Sequence, residues 1–356
     1  MKTLVVGWFS YEQCNVTAGD LMARDLACEW LEQAGHTYDV ALAPPFVGGV
    51  DWRSVDPNAY SHVVFVCGPF PYMAQTTEFV QRFTNCRLIG LDLSMIESLD
   101  VWNPFDILLA RDSSADSHPD ITFLSRQAKV PIVGIILVHP QDEYKGKGRH
   151  QVANDAINRL VASREMVAVP IDTGLDPNTT NLRSAAEVES LIARMDVVVT
   201  TRLHGTVLAL KNGVPTIAID AISGGAKVLR QAQTIGWPLV FPIDDLTDEA
   251  LHKAFDYCQT EEARSKAREC RDRSIAAVER VRDAFISALN SASSSSSRVG
   301  CEEALKKLEP PRPTTRQVAL YKARTIKHQA IQAIGKWLLS LLKNLGFDYQ
   351  KTQLFR

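Results

Sequence analysis

Two short stretches in the second half of the chain hold residues that can act on an anion. The first is Thr201-Arg202-Leu203-His204-Gly205, directly after Asp196–Thr200, which reads as a short buried strand. Arg202 and His204 are separated by one residue, so a turn can aim both at the same group. A guanidinium is a planar fork that fits carboxylate or phosphate. An imidazole gives or takes a proton near neutral pH. The same residue types also serve structure, as an Arg paired to a buried Asp and a His capping a helix. Spacing alone leaves both readings open. The second stretch is Asp220-Ala-Ile-Ser-Gly-Gly-Ala-Lys227. Ser223, Gly224 and Gly225 let a ligand approach the backbone closely. Lys227, opening the next helix, suits a phosphate contact. An ordinary glycine-rich turn with a solvated lysine is the alternative.

The elements that must position these residues alternate along the chain. Thr3–Gly7, His62–Val66, Arg87–Leu91 and Ile107–Ala110 are short apolar runs suited to a parallel sheet buried on both faces, with Leu21–Ala34 spaced as a helix. Turns are expected at Gly68-Pro69 and Arg111-Asp112. A second series runs through Ile132–Val138, a helix at Gln151–Ser163, Met166–Pro170, a helix at Ala185–Arg194, Asp196–Thr200, a short helix at Gly205–Asn212 and Val214–Ile219. The fold class is α/β: two doubly wound Rossmann-like domains facing across a cleft, 1–128 and 129–290. In such sheets ligands bind beyond the carboxyl ends of the strands, where a helix N-terminus offers free N–H groups.

Leu191–Ile219, with its Arg202-Leu203-His204-Gly205 turn, small-residue helix and Gly213-Val214-Pro215 before a strand, resembles the signature of polysaccharide pyruvyl transferases. Lys227 and Ile235-Gly236 continue the likeness. Asn15-Val-Thr-Ala-Gly-Asp20 is similar to an early loop of that family, and Ala110-Arg111-Asp112 with Ser114 to another turn. Two positions depart from the family pattern. Cys67-Gly68-Pro69 stands where a glycine-rich turn is usual. Val138-His139-Pro140 stands where an Arg is usual, with His139 or Arg149 as the substitute. The likeness spans roughly residues 1–245.

The resemblance implies a two-domain GT-B fold, a first domain on the acceptor side and a second on the donor side. It implies transfer of a pyruvyl group from phosphoenolpyruvate, a co-substrate, to two hydroxyls of one sugar, forming a ketal. No cofactor or metal is implied. Arg202 would hold the donor carboxylate or phosphate. His204 would act as general acid or steady the departing phosphate. Lys227 would neutralise phosphate, beside Ser223, Gly224 and Gly225. Asp20 would be the base for the acceptor hydroxyl. Arg111 and Asn15 are acceptor-side or structural candidates, with Arg111 pairing Asp112 in the structural reading. Tyr11, with Trp8, Phe9, Phe70 and Tyr72, either stacks on a sugar ring or packs the core.

The 46% hydrophobic content supports packed cores, and no signal segment or spanning run is evident. Seven cysteines include no C-x-x-C pair, which fits reduced thiols and a cytoplasmic location. Residues 291–297 are six serines and one alanine, opening a Ser/Pro-rich linker over 291–316. Residues 317–356 form a basic amphipathic helical tail, with Ile331, Ile334, Leu338, Leu341, Leu342 and Leu345 on one face. Residues 311–356 hold nine Lys/Arg and one acid, so 9 − 1 gives +8, leaving −10 for the rest. That tail docks on the body, lies on an anionic membrane face with Trp337 at the interface, or mediates oligomerisation. A membrane contact would suit a lipid-linked saccharide acceptor. Nucleic acid is not an expected partner. The rival functions are a nucleotide-sugar glycosyltransferase on the same scaffold and a non-catalytic saccharide-binding protein.

Overall fold

The computed structural model describes residues 2–71, 74–138, 146–176 and 178–290. Tyr72, His139, Pro140, Cys301, the 291–316 linker and the 317–356 tail with Trp337 lie outside the described residues. Residues up to Arg273 form one compact unit and those from Ser274 a second.

The first sheet is built from β1 (Lys2–Gly7), β2 (Thr37–Val40), β3 (His62–Val66), β4 (Pro69–Phe70), β5 (Arg87–Met95) and β6 (Ile107–Asp112), with α1 (Ala18–Gln33) and α2 (Ala74–Arg82) between strands. Its order is β2-β1-β3-β5, with β4 on the last residues of β5 and β6 on its middle; all pairings are parallel. Leu4, Val5, Val6, Val63 and Phe65 are buried, as expected of strands covered on both faces. Helix α1 starts three residues earlier than apolar spacing suggests. Thr17 and Asp20 form a capping box that satisfies the first free N–H groups. Apolar runs also did not reveal β2, α2 or β4, because their residues are half-exposed or the element is only two residues long.

The second sheet contains β7 (Ile132–Ile136), β8 (Val167–Pro170), β9 (Val197–Thr200), β10 (Thr216–Asp220) and β11 (Val240–Pro242). The helices are α3 (His150–Ser163), α4 (Ala185–Ile192), α5 (Leu203–Lys211), α6 (Lys227–Ile235), α7 (Asp248–Cys258) and α8 (Glu261–Asn290). The order is β11-β10-β9-β7-β8, all parallel. Chain order reverses on either side of β7, so the crevice between β7 and β9 is a topological switch point. Ser184 caps α4 and Thr247 caps α7. Helix α6 stops at Gly236, whose φ of 77° is the left-handed conformation that glycine accepts without strain.

The fold is thus α/β with two parallel, doubly wound sets followed by C-terminal helices. Residues 125–131 join the two sets without a regular element. Within the second unit, Ser274–Asn290 continues α8 with Val278, Val281, Phe285 and Leu289 exposed.

Candidate functional site

Helix α5 begins at Leu203, two residues earlier than expected, which makes Arg202 its N-cap and puts His204 in its first turn. Two threonines hold this turn against β7. Thr200 Oγ1 donates to the Ile136 carbonyl at 3.0 Å and accepts from the Arg202 N–H at 3.0 Å. Thr201 Oγ1 accepts from the Val138 N–H at 2.8 Å. Gly205 is needed for close approach: a Cβ there would strike the Thr200 hydroxyl and lie 3.1 Å from the Ile136 side chain.

The Arg202 side chain crosses the switch point. Its Nε donates to the Leu137 carbonyl at 2.9 Å and its Nη1 to Thr173 Oγ1 at 3.2 Å, while Nη2 lies 3.6 Å from Asp172 Oδ1. Asp172 is 5% exposed. Burial opposes its ionised form. The N–H groups of Gly174 and Thr179, the Thr179 hydroxyl and the Arg202 charge outweigh burial and hold its pKa at about 2. The Arg–Asp pairing weighed as a structural role is therefore present, and it fixes the guanidinium beside the strand ends. His204 is exposed and makes no hydrogen bond among the described residues.

The loop between β10 and α6 carries its own carboxylates. Asp220, 1% exposed at the end of β10, accepts from the N–H groups of Ile222, Ala226 and Leu229 at 3.2, 2.7 and 2.9 Å. It therefore occupies the N-terminus of α6. Asp244 accepts from the Gly224 N–H at 2.7 Å and from Ser223 Oγ at 2.9 Å. The Gly224 N–H and then the Ser223 hydroxyl hold its carboxyl below the usual range. Gly224 and Gly225 both have positive φ, 80° and 75°. Lys227 is the first residue of α6 and half-buried. Arg149, the N-cap of α3, donates its N–H to the Ala221 carbonyl at 2.7 Å, and the Ser223 N–H donates to the Lys147 carbonyl at 2.9 Å. The segment entering α3 is thereby tied to this loop, and Arg149 is exposed beside it.

A cavity of about 500 Å³ opens beyond the ends of β7 and β8. Leu137, Val138 and Ile171 form apolar wall, and His150, Gln151 and Asn154 of α3 contribute polar groups, with Asp172 and Thr179 on the far side. Leu137 and Asp172 also contact Arg202, so the cavity adjoins the Arg202 turn.

The first-sheet candidates are engaged locally. Asp20 is 9% exposed, and its Oδ2 accepts from the Thr17 N–H and Oγ1, both at 2.8 Å. Asn15 is exposed in the loop before α1. Arg111 pairs with Asp120 at 2.8 Å and donates to Ser94 Oγ at 2.8 Å. Its Nε is also 4.0 Å from Asp112, the expected partner, which is the most distant of three carboxylates around the guanidinium, with Asp92 at 3.7 Å. Tyr11, Phe9 and Phe70 are buried in the cores, Tyr11 against Trp52 and Phe65. A stacking role for those three rings is contradicted by that burial. Trp8 is half-buried and packs on the same core.

Sequence reasoning missed Asp172, Asp220 and Asp244. Asp220 had a signal, since an acid at the end of a strand and just before a glycine loop can accept the loop's N–H groups. Asp172-Thr-Gly174 and Asn178-Thr-Thr180 carried the signature of side chains that organise their own turn.

No curated protein matches the chain. Among solved structures, a spinosyn rhamnosyltransferase complexed with thymidine diphosphate is 13% identical, with 76% of this chain and 95% of that chain covered and a TM-score of 0.29. A UDP-GlcNAc 2-epimerase from Methanocaldococcus jannaschii is 10% identical, with 77% and 100% covered and a TM-score of 0.29. MurG from Acinetobacter baumannii is 10% identical, with 76% and 95% covered and a TM-score of 0.26. The model of the polysaccharide pyruvyl transferase family matches residues 119–221, a range that contains Arg202, His204, Asp172 and Asp220 but stops short of Ser223 and Lys227. Residues 119–221, which include the Arg202–His204 turn and its supports, therefore carry the match to the polysaccharide pyruvyl transferase family.

Proposed function

We propose that this chain transfers the pyruvyl group of phosphoenolpyruvate to two hydroxyls of one sugar, forming a pyruvate ketal. The observation that carries this reading is the Arg202–His204 turn, which lies inside the family match and at the switch point of the second sheet. Arg202 is held by a carbonyl and a carboxylate, so its guanidinium is in place before a ligand arrives. His204 projects from the first turn of α5, where the helix dipole also favours an anion.

The reaction needs a proton on the methylene carbon and bonds from two oxygens to the adjacent carbon. The first sugar hydroxyl adds across the enol double bond, its oxygen joining C2 as C3 gains a proton. Phosphate then leaves C2 and the second hydroxyl closes the ring, releasing its own proton. His204 is the proposed group to deliver a proton or to steady the leaving phosphate. Arg202 orients the carboxylate or phosphate, and Lys227 with the exposed Arg149 adds positive charge near the β10–α6 loop. Asp20 is the proposed base for the acceptor hydroxyl through its Oδ1, since Oδ2 is committed to the α1 cap. No metal or cofactor enters this scheme.

Replacing His204 with Ala tests it. His204 is exposed and makes no hydrogen bond among the described residues, so the melting temperature should stay within about 1 °C of the parent, as for surface substitutions of small effect. Phosphate release from phosphoenolpyruvate, measured with a panel of glycans, should fall to background. Near-normal release by His204→Ala would remove His204 from the mechanism. A thermal-shift comparison of phosphoenolpyruvate with nucleotide sugars, using the parent chain, tests the donor class itself.

A further inference from the structure

The cavity beyond β7 and β8 has a chemistry unlike that of the anion turn beside it. Among the described residues that line it none is Lys or Arg, and Asp172 is a carboxylate held ionised at about pKa 2. A donor bearing a carboxylate and a phosphate would meet that carboxylate, already paired with Arg202, and no Lys or Arg among the described lining residues. Five of its eleven described lining residues are aliphatic or proline. The described polar groups of the 172–180 loop are spent on the loop itself and on Arg202. Both Asp172 oxygens accept loop hydrogen bonds, Thr180 Oγ1 accepts from the Asp172 N–H, and the same hydroxyl donates to Asn178 Oδ1.

Asn154, on α3, is not engaged in this way. Its Oδ1 is buried in the cavity wall and has no hydrogen-bond partner among the described residues. A buried amide acceptor of this kind calls for a donor. Phosphoenolpyruvate at neutral pH carries acceptors and no hydroxyl, whereas a sugar carries several O–H donors and apolar C–H faces. At about 500 Å³ the space lies within the ordinary range of small-molecule sites, about 300–1,000 Å³.

We propose that this cavity is the acceptor subsite and takes a neutral, hydroxyl-bearing sugar residue, with a hydroxyl donating to Asn154 Oδ1. The proposal rests on the pyruvyl-transfer reading for the word acceptor. It moves the sugar from the loops of the first sheet, whose Phe9, Tyr11 and Phe70 rings are core, to the second sheet. The transferring group then sits at Arg202 and His204, and the sugar approaches from the β8 side, past Leu137 and Asp172.

Two variants of the full chain test it. Asn154→Leu keeps the volume and helix-forming character of the position and removes the acceptor. Gln151→Trp, at an exposed helix position on the rim, fills the opening without touching the core. The probes are neutral methyl glycosides of hexoses and N-acetylhexosamines, observed by saturation-transfer NMR, and phosphoenolpyruvate, followed by calorimetry. At least one glycoside should bind the parent. Its affinity should fall about three- to tenfold in Asn154→Leu, the range for one neutral hydrogen bond. Its signal should disappear in Gln151→Trp. Phosphoenolpyruvate affinity should be unchanged in both. The proposal is overturned if no glycoside binds the parent, if glycoside binding ignores both substitutions, or if phosphoenolpyruvate displaces the glycoside from the cavity. If glycosides bind through Asn154 and phosphoenolpyruvate does not bind at all, the sugar subsite stands and the donor reading falls.

Discussion

Replacing Asp172 with Asn probes the brace behind Arg202. In the folded chain the Asp172 pKa drops from 3.8 to about 2. At ~1.4 kcal/mol per pKa unit, that drop corresponds to roughly 2–3 kcal/mol of folding stability near neutral pH. The sign follows from the depressed value. The contribution is complete above about pH 5, where the unfolded carboxyl is also ionised. It declines as pH falls through 3.8 toward about 2, and by about pH 3 roughly half is gone. The amide introduced by Asp172→Asn cannot supply the charge, and its N–H₂ would face the Thr179 N–H from which the carboxylate now accepts. The measurement is urea unfolding of parent and variant, followed by tryptophan fluorescence, from about pH 3 to about pH 7. Taking the difference between the two chains cancels the other carboxylates. The variant should be less stable by roughly 2–3 kcal/mol at about pH 7, and the gap should narrow by about 1 kcal/mol at about pH 3. Phosphoenolpyruvate affinity should also drop, because Arg202 Nη2 loses its anchor. A gap that stays constant across that pH range would refute the reasoning, because ionisation of Asp172 would then carry none of it.

Gly205→Ala should destabilise the chain by about 1–3 kcal/mol, since its Cβ meets Thr200 and Ile136 in a closed space. Differential scanning calorimetry reads this, and turnover should fall with it as Arg202 and His204 shift. Asp244→Ala should free the Gly224 N–H and the Ser223 hydroxyl and remove a negative charge beside the loop that leads to Lys227. Phosphoenolpyruvate should bind several-fold tighter by calorimetry, less so at high salt; weaker binding would mean that Asp244 shapes the loop for the donor.

The apolar runs of the second sheet were legible because β7 and β9 are largely covered on both faces and read as Val/Ile-rich stretches, interrupted in β7 only by Gly134. Half-exposed β2 and β11 carry no such run and were missed. The start of α5 was misplaced for a different reason. Arg202 caps it through backbone geometry, with Thr200 rather than its own side chain satisfying an N–H, so no capping residue announces the helix. Arg202 and His204 stand out as candidates from their types and spacing. Their supports were not: Asp172 lies 30 positions before Arg202 in the chain, and Asp244 lies 20 after Gly224. Contacts of that range depend on strand order, which local pattern does not reveal. The same limit explains why adjacency in sequence points to Asp112 as the partner of Arg111 when Asp120 makes the short contact.

Those supports change how the anion turn should be understood. Three features that read from sequence as attractors of phosphate already hold a carboxylate of the chain. Asp172 meets Arg202, Asp220 occupies the N-terminus of α6, and Asp244 occupies the Gly224 turn. Asp220 is buried and bound by three N–H groups, so a ligand cannot readily displace it. Asp244 is held at an exposed position by hydrogen bonds to a glycine N–H and a serine hydroxyl, and water can replace both. The two acids therefore differ in kind. Asp220 would keep the loop in shape whether or not a donor is present, while Asp244 would compete with one. Donor phosphate would then enter by exchanging with Asp244, and the freed carboxylate would be repelled toward solvent or toward Arg149, whose charge already acts on it. Binding through such an exchange depends on the difference between two anions in one place, which is why removing Asp244 should tighten it.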